Sequence, residues 1–347
     1  MVKKISDSKT GSPSDKKRII LSVLCIIVAV SAALLYIARH QSSQVFSDFA
    51  MGSDVRIAVY GDPQTAKNAL SAIHKLDKEI SKNSDSGEVY KINSANGQSV
   101  YAPVTAALLK QCDPVVKASN GNFTPLCGSL TSLWRIGEED QHIPSFDEIS
   151  ASLAGCSYDN LIIDSDNITL NNSAMLDLGA VGKGAACDTA VKQMGEIPGV
   201  VSVGGSVAVN GNKPDGKAWS VAVTDPSDLA NDAYVLRLSG GHGISTSGSY
   251  QKFFTENGKT YHHILNPHTG YPFETDIISV TVVAENATLA DALSTAVFAV
   301  GTENAKNLLE QFGAVGVIID NSGNMLISGD LYDSVGDIGE KYNASVL

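Results

Sequence analysis

Twenty residues without a charge, Ile19 to Ala38, divide this chain into parts that cannot share one fold. The run is interrupted only by Ser22, Ser31 and Tyr36, and as a helix it matches the thickness of a bilayer core. Lys16, Lys17 and Arg18 precede it, which places the N-terminus in the cytoplasm and the rest outside. The expected organisation is a cytoplasmic polar tail over 1–18, a single transmembrane helix over 19–38, a linker over 39–50 and an extracytoplasmic domain over 51–347. The expected location is therefore the cell membrane. A cleaved signal peptide is the alternative, because Val30-Ser31-Ala32 offers a small-residue site. Against it, apolar residues continue through Leu34, Leu35 and Ile37, and the run is long for a signal. Cys25 sits mid-run behind the bulky Leu24, which argues against lipid attachment there.

The charge balance follows the same division. Of 25 basic and 37 acidic groups, seven and two fall in residues 1–39, so the remainder holds 18 and 35, a net of −17. So acidic a body lacks the basic footprint of nucleic-acid binding. With 43% hydrophobic and 18% charged residues it can bury a core. Cys112, Cys127, Cys156 and Cys187 permit disulfides in an exported body, but their spacing fits no zinc motif. They read as scattered small core residues.

From Met51 onward strands alternate with helices. Val55–Tyr60 reads as a strand, and Pro63–Ile80 and Pro103–Asn120 as helices. Asn160–Leu170 reads as a hairpin turning at Asp166-Asn167. Val200–Val209 and Trp219–Val223 read as strands. Strand, helix and strand then follow over Ser279–Ala284, Thr288–Val300 and Ala314–Asp320. No fixed-period repeat and no second linker occur, so one α+β domain of mixed sheets and helices is expected.

Several segments carry chemistry. YHHILNPHTGYP, from Tyr261 to Pro272, ends a strand in three histidines and a proline-glycine turn, and either borders a ligand or is a hairpin edge. DLGAVGKGAACD, from Asp177, leads into a helix. Its glycines at 179, 182 and 184 let backbone amides approach a ligand, and Lys183 adds a cation near the helix N-terminus, a combination suited to phosphate. It is neither a Walker loop nor a dinucleotide fingerprint, and a structural tight turn is the alternative. SVGGS (202–206) and ISTSGS (244–249) are small-residue loops rich in donors. In ADALSTA (290–296), Asp291 and Thr295 stand four apart on one helical face and together suit Mg²⁺. Thr288-Leu289-Ala290-Asp291 also fits a capping box, so spacing alone leaves Asp291 undecided.

Taken in order, MGS (51–53), LDLGAVGKGAACD, SVGGS, ISTSGSY, YHHILNPHTGYP and ADALSTAVFAVG resemble the ApbE family of FAD:protein FMN transferases. The similarity runs from Met51 to the C-terminus. It implies a single ApbE-like, T-fold-related domain whose members are typically exported and membrane-anchored. The implied reaction is Mg²⁺-dependent. A Thr or Ser hydroxyl of an exported flavoprotein attacks the FMN phosphorus of FAD, AMP leaves, and FMN remains attached.

Carried over residue by residue, the resemblance assigns the metal to Asp291, Thr295 and the main-chain carbonyl of Gly182. It places Lys183 facing the pyrophosphate and His263 beside the reacting phosphate or flavin, as catalytic groups. Met51, Glu88, Asp188, Ser247, Gly248 and His263 fall in segments that line the flavin pocket. His262 and His268 are expected to be surface or structural residues. The chain departs from the family at Asn266 and Ser206, where Asp is frequent, at Thr124, also often Asp, and at Gly182, often Ala. An FAD pyrophosphatase giving FMN and AMP, or a non-catalytic extracellular flavin-binding protein, are the competing functions.

Overall fold

The chain joins its central sheet earlier than its hydrophobic pattern suggests. The computed structural model describes residues 26–31 and 43–347. The tail and most of the expected anchor, Cys25 included, lie outside the described residues. Residues 26–31 are helical, and among the described residues no helix is long and apolar enough to cross a membrane. Strand β1 (Gln44–Ala50) pairs antiparallel with β2 (Ser53–Val59), Gln44 opposite Val59. Residues 44–50 of the expected linker are therefore an edge strand. Val45 and Phe49 are exposed, so β1 is held by its ladder to β2 and by Phe46 and Ala50, which alone pack against the main core. Met51 (φ 55°) and Gly52 (φ 65°) close the turn in the left-handed region.

Helix α1 (Pro63–Ile80) begins where predicted. Asp62 caps it by accepting the Gln64 amide at 3.0 Å, Pro63 opens the first turn, and Ala66, Ala69, Ile73, Leu76 and Ile80 are buried. Then follow α2 (Glu88–Asn93), β3 (Val100–Tyr101), α3 (Pro103–Ala118), α4 (Gly128–Trp134) and α5 (Phe146–Leu153). The hairpin β4 (Leu161–Asp164) and β5 (Asn167–Leu170) turns at Ser165-Asp166, one residue before the expected place, with Ser165 supplying the positive φ of 57°. After α6 (Gly182–Met194), the single strand expected over Val200–Val209 is a tight hairpin, β6 (Gly199–Val203) and β7 (Ser206–Asn210). Gly204, at φ 53°, makes the turn.

The remaining elements are β8 (Trp219–Asp225), β9 (Asp228–Leu238), β10 (His242–Gly248), β11 (Phe253–Glu256), β12 (Lys259–His262), β13 (Ile277–Ala284), α7 (Ala287–Val300), α8 (Thr302–Gln311), β14 (Val315–Asp320), β15 (Asn324–Ile327), β16 (Val335–Gly336) and β17 (Asn343–Val346). Nine strands form the main sheet in the order β1-β2-β6-β7-β10-β13-β14-β15-β17, antiparallel except for β15–β17. Helices α1, α6 and α7 pack together on one face. The small sheet β16-β9-β8 covers part of the other, over Val209, Ile244, Val283, Val317 and Ile319. A third cluster, around Leu130, Trp134, Ile149 and Leu265, seats the β11–β12 ribbon. Cys112, Cys127, Cys156 and Cys187 are free thiols. Burial raises their pKa values, that of Cys112 to about 12, as suits packing residues rather than reactive ones.

Candidate active site

The glycine loop before α6 is tied down by a carboxylate. Asp177 accepts from Lys82 Nζ at 2.8 Å, Thr131 Oγ1 at 2.7 Å and the Gly179 amide at 2.9 Å. Burial alone raises its pKa, but the Lys82 ammonium and these hydrogen bonds outweigh it and hold the carboxyl below the usual range. Beyond this loop Gly182 opens α6, its amide donating to Leu178 O at 2.7 Å. Lys183 folds back so that Nζ donates to Gly179 O at 3.2 Å and stands 3.9 Å from Asp291 Oδ1.

Gly184 sets how closely α6 and α7 approach. A Cβ there would stand 2.2 Å from Ala287 O, so only glycine fits the contact. Its amide donates to Asp291 Oδ2 at 2.9 Å. Asp291 is 3% exposed, and its other oxygen accepts the Ser245 hydroxyl at 2.7 Å. Ser206 Oγ lies 3.0 Å behind Ser245 Oγ. One helical turn further along α7, Thr295 Oγ1 is 3.3 Å from Ser247 Oγ, which is also 2.8 Å from Ser294 Oγ.

The capping-box alternative for Asp291 is ruled out by the start of α7. Asn286 is the cap and accepts the Leu289 amide at 2.8 Å. Asp188 satisfies the next donors, accepting the Ala287 amide at 2.9 Å, the Thr288 amide at 2.8 Å and the Thr288 hydroxyl at 2.6 Å. Asp291, left over from capping, is turned against α6 and β10.

Three residues expected to line the flavin pocket have structural duties here. Asp188 spends both oxygens on α7. Glu88 caps α3 in the same way, accepting the Val104 and Thr105 amides at 3.3 and 2.7 Å. Met51 fixes the β1–β2 turn through its amide on Asp77 Oδ2 at 2.9 Å. That turn still borders the site. A Cβ on Gly204 would meet Ser53 Oγ at 2.9 Å and Lys183 Cδ at 3.4 Å, so the β1–β2 turn, the β6–β7 turn and Lys183 converge. Ser247 and Gly248 end β10 beside α7, and Tyr250 folds back over Gly248.

The two adjacent histidines separate as alternation requires. His262 is buried: Nδ1 accepts the Ile264 amide at 3.3 Å, Nε2 donates to Phe273 O at 2.9 Å, and the ring lies edge-on to Phe298 at 5.4 Å. Both nitrogens are satisfied, so His262 is structural, and burial lowers its pKa. His263 is half-buried and faces Lys252 O through Nδ1 at 3.3 Å. Desolvation lowers its pKa to about 4, and the Lys183 and Lys252 ammonium groups push the same way, so the ring is neutral at physiological pH. His268 is exposed and closes the turn at Asn266, its amide on Asn266 Oδ1 at 2.8 Å.

Among the described residues no group of three His, Cys, Asp or Glu side chains stands ready for a metal. The α6–α7 junction offers hard oxygens instead, the Asp291 carboxylate and the Thr295 hydroxyl, while Gly182, the expected main-chain ligand, opens α6 two residues before Gly184. Each Asp291 oxygen has one protein hydrogen bond and keeps a further lone pair. A donor set with one carboxylate suits Mg²⁺, which retains waters or phosphate oxygens for its remaining positions. From the sequence, Ser206 and Ser245 fall in donor-rich segments and Asp177 opens the glycine motif, without a specific role for any of the three, and Ser294 has none. The usable signal for the serines is their period of two on β10, Ser245 and Ser247, matched to Asp291 and Thr295 at helical spacing.

Residues 51–319 match the family model described as the ApbE family. The chain belongs to the ApbE family. An FAD:protein FMN transferase of Escherichia coli strain K12 is 30% identical over 328 residues, 86% of this chain and 93% of its own. One from Salmonella typhimurium strain LT2 is 29% identical over 327 residues, with the same two shares. The ApbE protein of Thermotoga maritima superposes with a TM-score of 0.79 at 31% identity, over 84% of this chain and 99% of its own. The apo form of Pseudomonas stutzeri flavinyl transferase ApbE gives 0.72 at 26% identity, over 81% and 91%. The mixed α/β fold expected from the ApbE resemblance is thus the fold observed.

Proposed function

We propose that this chain is an FAD:protein FMN transferase that moves the FMN half of FAD onto a Thr or Ser hydroxyl of an exported protein, with release of AMP. The observation that carries this reading is the α6–α7 junction. There a buried carboxylate, a hydroxyl and an ammonium group meet beside a helix N-terminus, which is what a pyrophosphate with a cation needs. Asp291, Thr295 and the Gly182 carbonyl would hold Mg²⁺, which when bound neutralises charge on the pyrophosphate. Lys183, tethered between Gly179 O and Asp291, would add its positive charge to the same phosphates.

The transfer balances with the groups present. The acceptor oxygen bonds to the FMN phosphorus, the phosphorus–oxygen bond to AMP breaks, and AMP leaves with the bridging oxygen. The hydroxyl proton goes to His263 Nε2, which carries the lone pair because Nδ1–H faces Lys252 O. Its low intrinsic basicity rises when anionic phosphates enter beside it. The protein's main contribution is position and charge rather than covalent chemistry. The anchor over 19–38 would hold this site at the outer face of the cell membrane, where exported acceptors are found.

The test is AMP release by the full chain in detergent micelles, given FAD and Mg²⁺, with and without an exported flavoprotein from the same organism. Transfer predicts AMP formation that depends on the acceptor and stops with EDTA. AMP with equimolar free FMN regardless of acceptor would make the chain a pyrophosphatase. Tight FAD binding without AMP would make it a flavin-binding protein.

A further inference from the structure

Strand β10 and helix α7 meet through side chains of matching spacing. Ser245 and Ser247, two apart on one face of the strand, are separated by about 6.8 Å of rise. Asp291 and Thr295, four apart on the helix, are separated by about 6.0 Å. Each serine therefore faces one of the two oxygen ligands. Ser206, Ser245 and Ser294 are 0% exposed and Ser247 9%, so water does not compete for these hydroxyls.

The direction of each hydrogen follows from what its partner can do. A carboxylate only accepts, so Ser245 donates to Asp291 Oδ1 at 2.7 Å and Ser206 donates to Ser245 at 3.0 Å. Ser294 donates to the main-chain oxygen of Asp291 at 3.0 Å, and so receives from Ser247 at 2.8 Å. Ser247, its hydrogen spent, receives from Thr295 at 3.3 Å. The Thr295 hydrogen thus points back at the strand, and its lone pairs point away from it.

We propose that Ser245 and Ser247 are positioning residues that preset Asp291 and Thr295 as oxygen donors for a divalent cation. Ser245, backed by Ser206, fixes the carboxylate rotamer. Ser247, backed by Ser294, turns the Thr295 hydroxyl so that it offers oxygen rather than hydrogen. This rests on the cation reading of the previous section. Chains of hydrogen bonds strengthen one another in a dry setting, and partners that orient a ligand commonly set affinity by an order of magnitude or more.

The experiment is a Mn²⁺ titration of the full chain in detergent micelles, read by electron paramagnetic resonance, with thermal midpoints measured in parallel. Mn²⁺ takes the same oxygen donors. Ser247→Ala is expected to weaken Mn²⁺ binding about tenfold and Ser247→Thr, which keeps the hydroxyl, to restore it. In a Thr295→Val background Ser247→Ala should cost nothing more, because no hydroxyl is left to orient, whereas Ser245→Ala should still weaken binding. Parent-like binding by Ser247→Ala, or an undiminished cost in the Thr295→Val background, would overturn the proposal. So would a loss of binding that only follows the thermal midpoint and is not restored by threonine. A parent chain that binds no Mn²⁺ would remove the cation reading itself, and this inference with it.

Discussion

The α6–α7–β10 junction and the histidine-bearing ribbon are built by opposite means. On the α6–α7–β10 side, small residues let backbones touch, as at Gly184 against Ala287, and each hydroxyl or carboxylate is answered by another protein group. On the other side, the segment from Lys259 to Pro272 is held by large rings. Trp134 lies 5.6 Å from Tyr261 and 5.8 Å from Tyr271, and its Nε1 donates to Gly270 O at 2.8 Å. Fixed charge sits where the structure is regular and close-packed. The group assigned to move a proton, His263, sits on the irregular ribbon. Charge stabilisation needs donors already in place, whereas proton transfer needs a group with a free lone pair and access to the substrate.

The largest effect should come from the packed side. Asp291→Ala is expected to cut AMP release about 10³-fold, matching EDTA treatment. The same change leaves the Gly184 amide and the Ser245 hydroxyl without their acceptor, at about 1–3 kcal/mol of stability in a thermal melt. Full activity in this variant would mean that the carboxylate serves packing alone. Next, Gly184→Ala must push α6 from α7 and is expected to cost about 1–3 kcal/mol, with activity falling alongside. A Gly184→Ala variant as stable as the parent would show that the helices do not approach as closely as described.

The ribbon should answer more gently, and through pH. The folded pKa of His263, about 4, lies below the roughly 6.5 of an exposed histidine. Between those values the unfolded chain binds the extra proton. The contribution of His263 is therefore complete above about pH 6.5 and is lost as pH falls towards about 4. Urea midpoints of the parent should decline across that window more than those of His263→Gln, by a modest amount because the ring is half-exposed. A proton-detected titration of His263 near 6.5 would contradict its desolvated environment. Smallest of all, Gly182→Ala places its Cβ 3.3 Å from the flexible end of Ile80, and stability should stay within about 0.5 kcal/mol. A large loss there would mean that the start of α6 is as tightly packed as Gly184.

Much of the helical side was legible in the sequence because its determinants are local. Pro63 marks the start of α1, and the apolar run from Thr288 locates α7 to within one residue, although its cap is Asn286 rather than Thr288. The ordered motifs then identified the family. What stayed hidden depends on partners distant along the chain. β1 is an exposed edge strand recognisable only from its pairing with β2, and β6 and β7 read as one strand because Gly204-Gly205 turns within a run of small residues. Asp188 and Glu88 each reach across the fold to satisfy another helix's first amides, a duty no local pattern announces. That Asp291 is not the cap of α7 shows only with Asn286 in place, and its own partner, the Gly184 amide, lies 107 residues away.

Transfer of FMN to a protein leaves a fixed mass on its acceptor. The most direct test is the intact mass of an exported flavoprotein acceptor after incubation with the full chain, FAD and Mg²⁺, with AMP measured in the same sample. One FMN residue added per acceptor and one AMP released are expected, with both absent when Asp291→Ala replaces the parent. An acceptor of unchanged mass, with or without AMP, would contradict transfer.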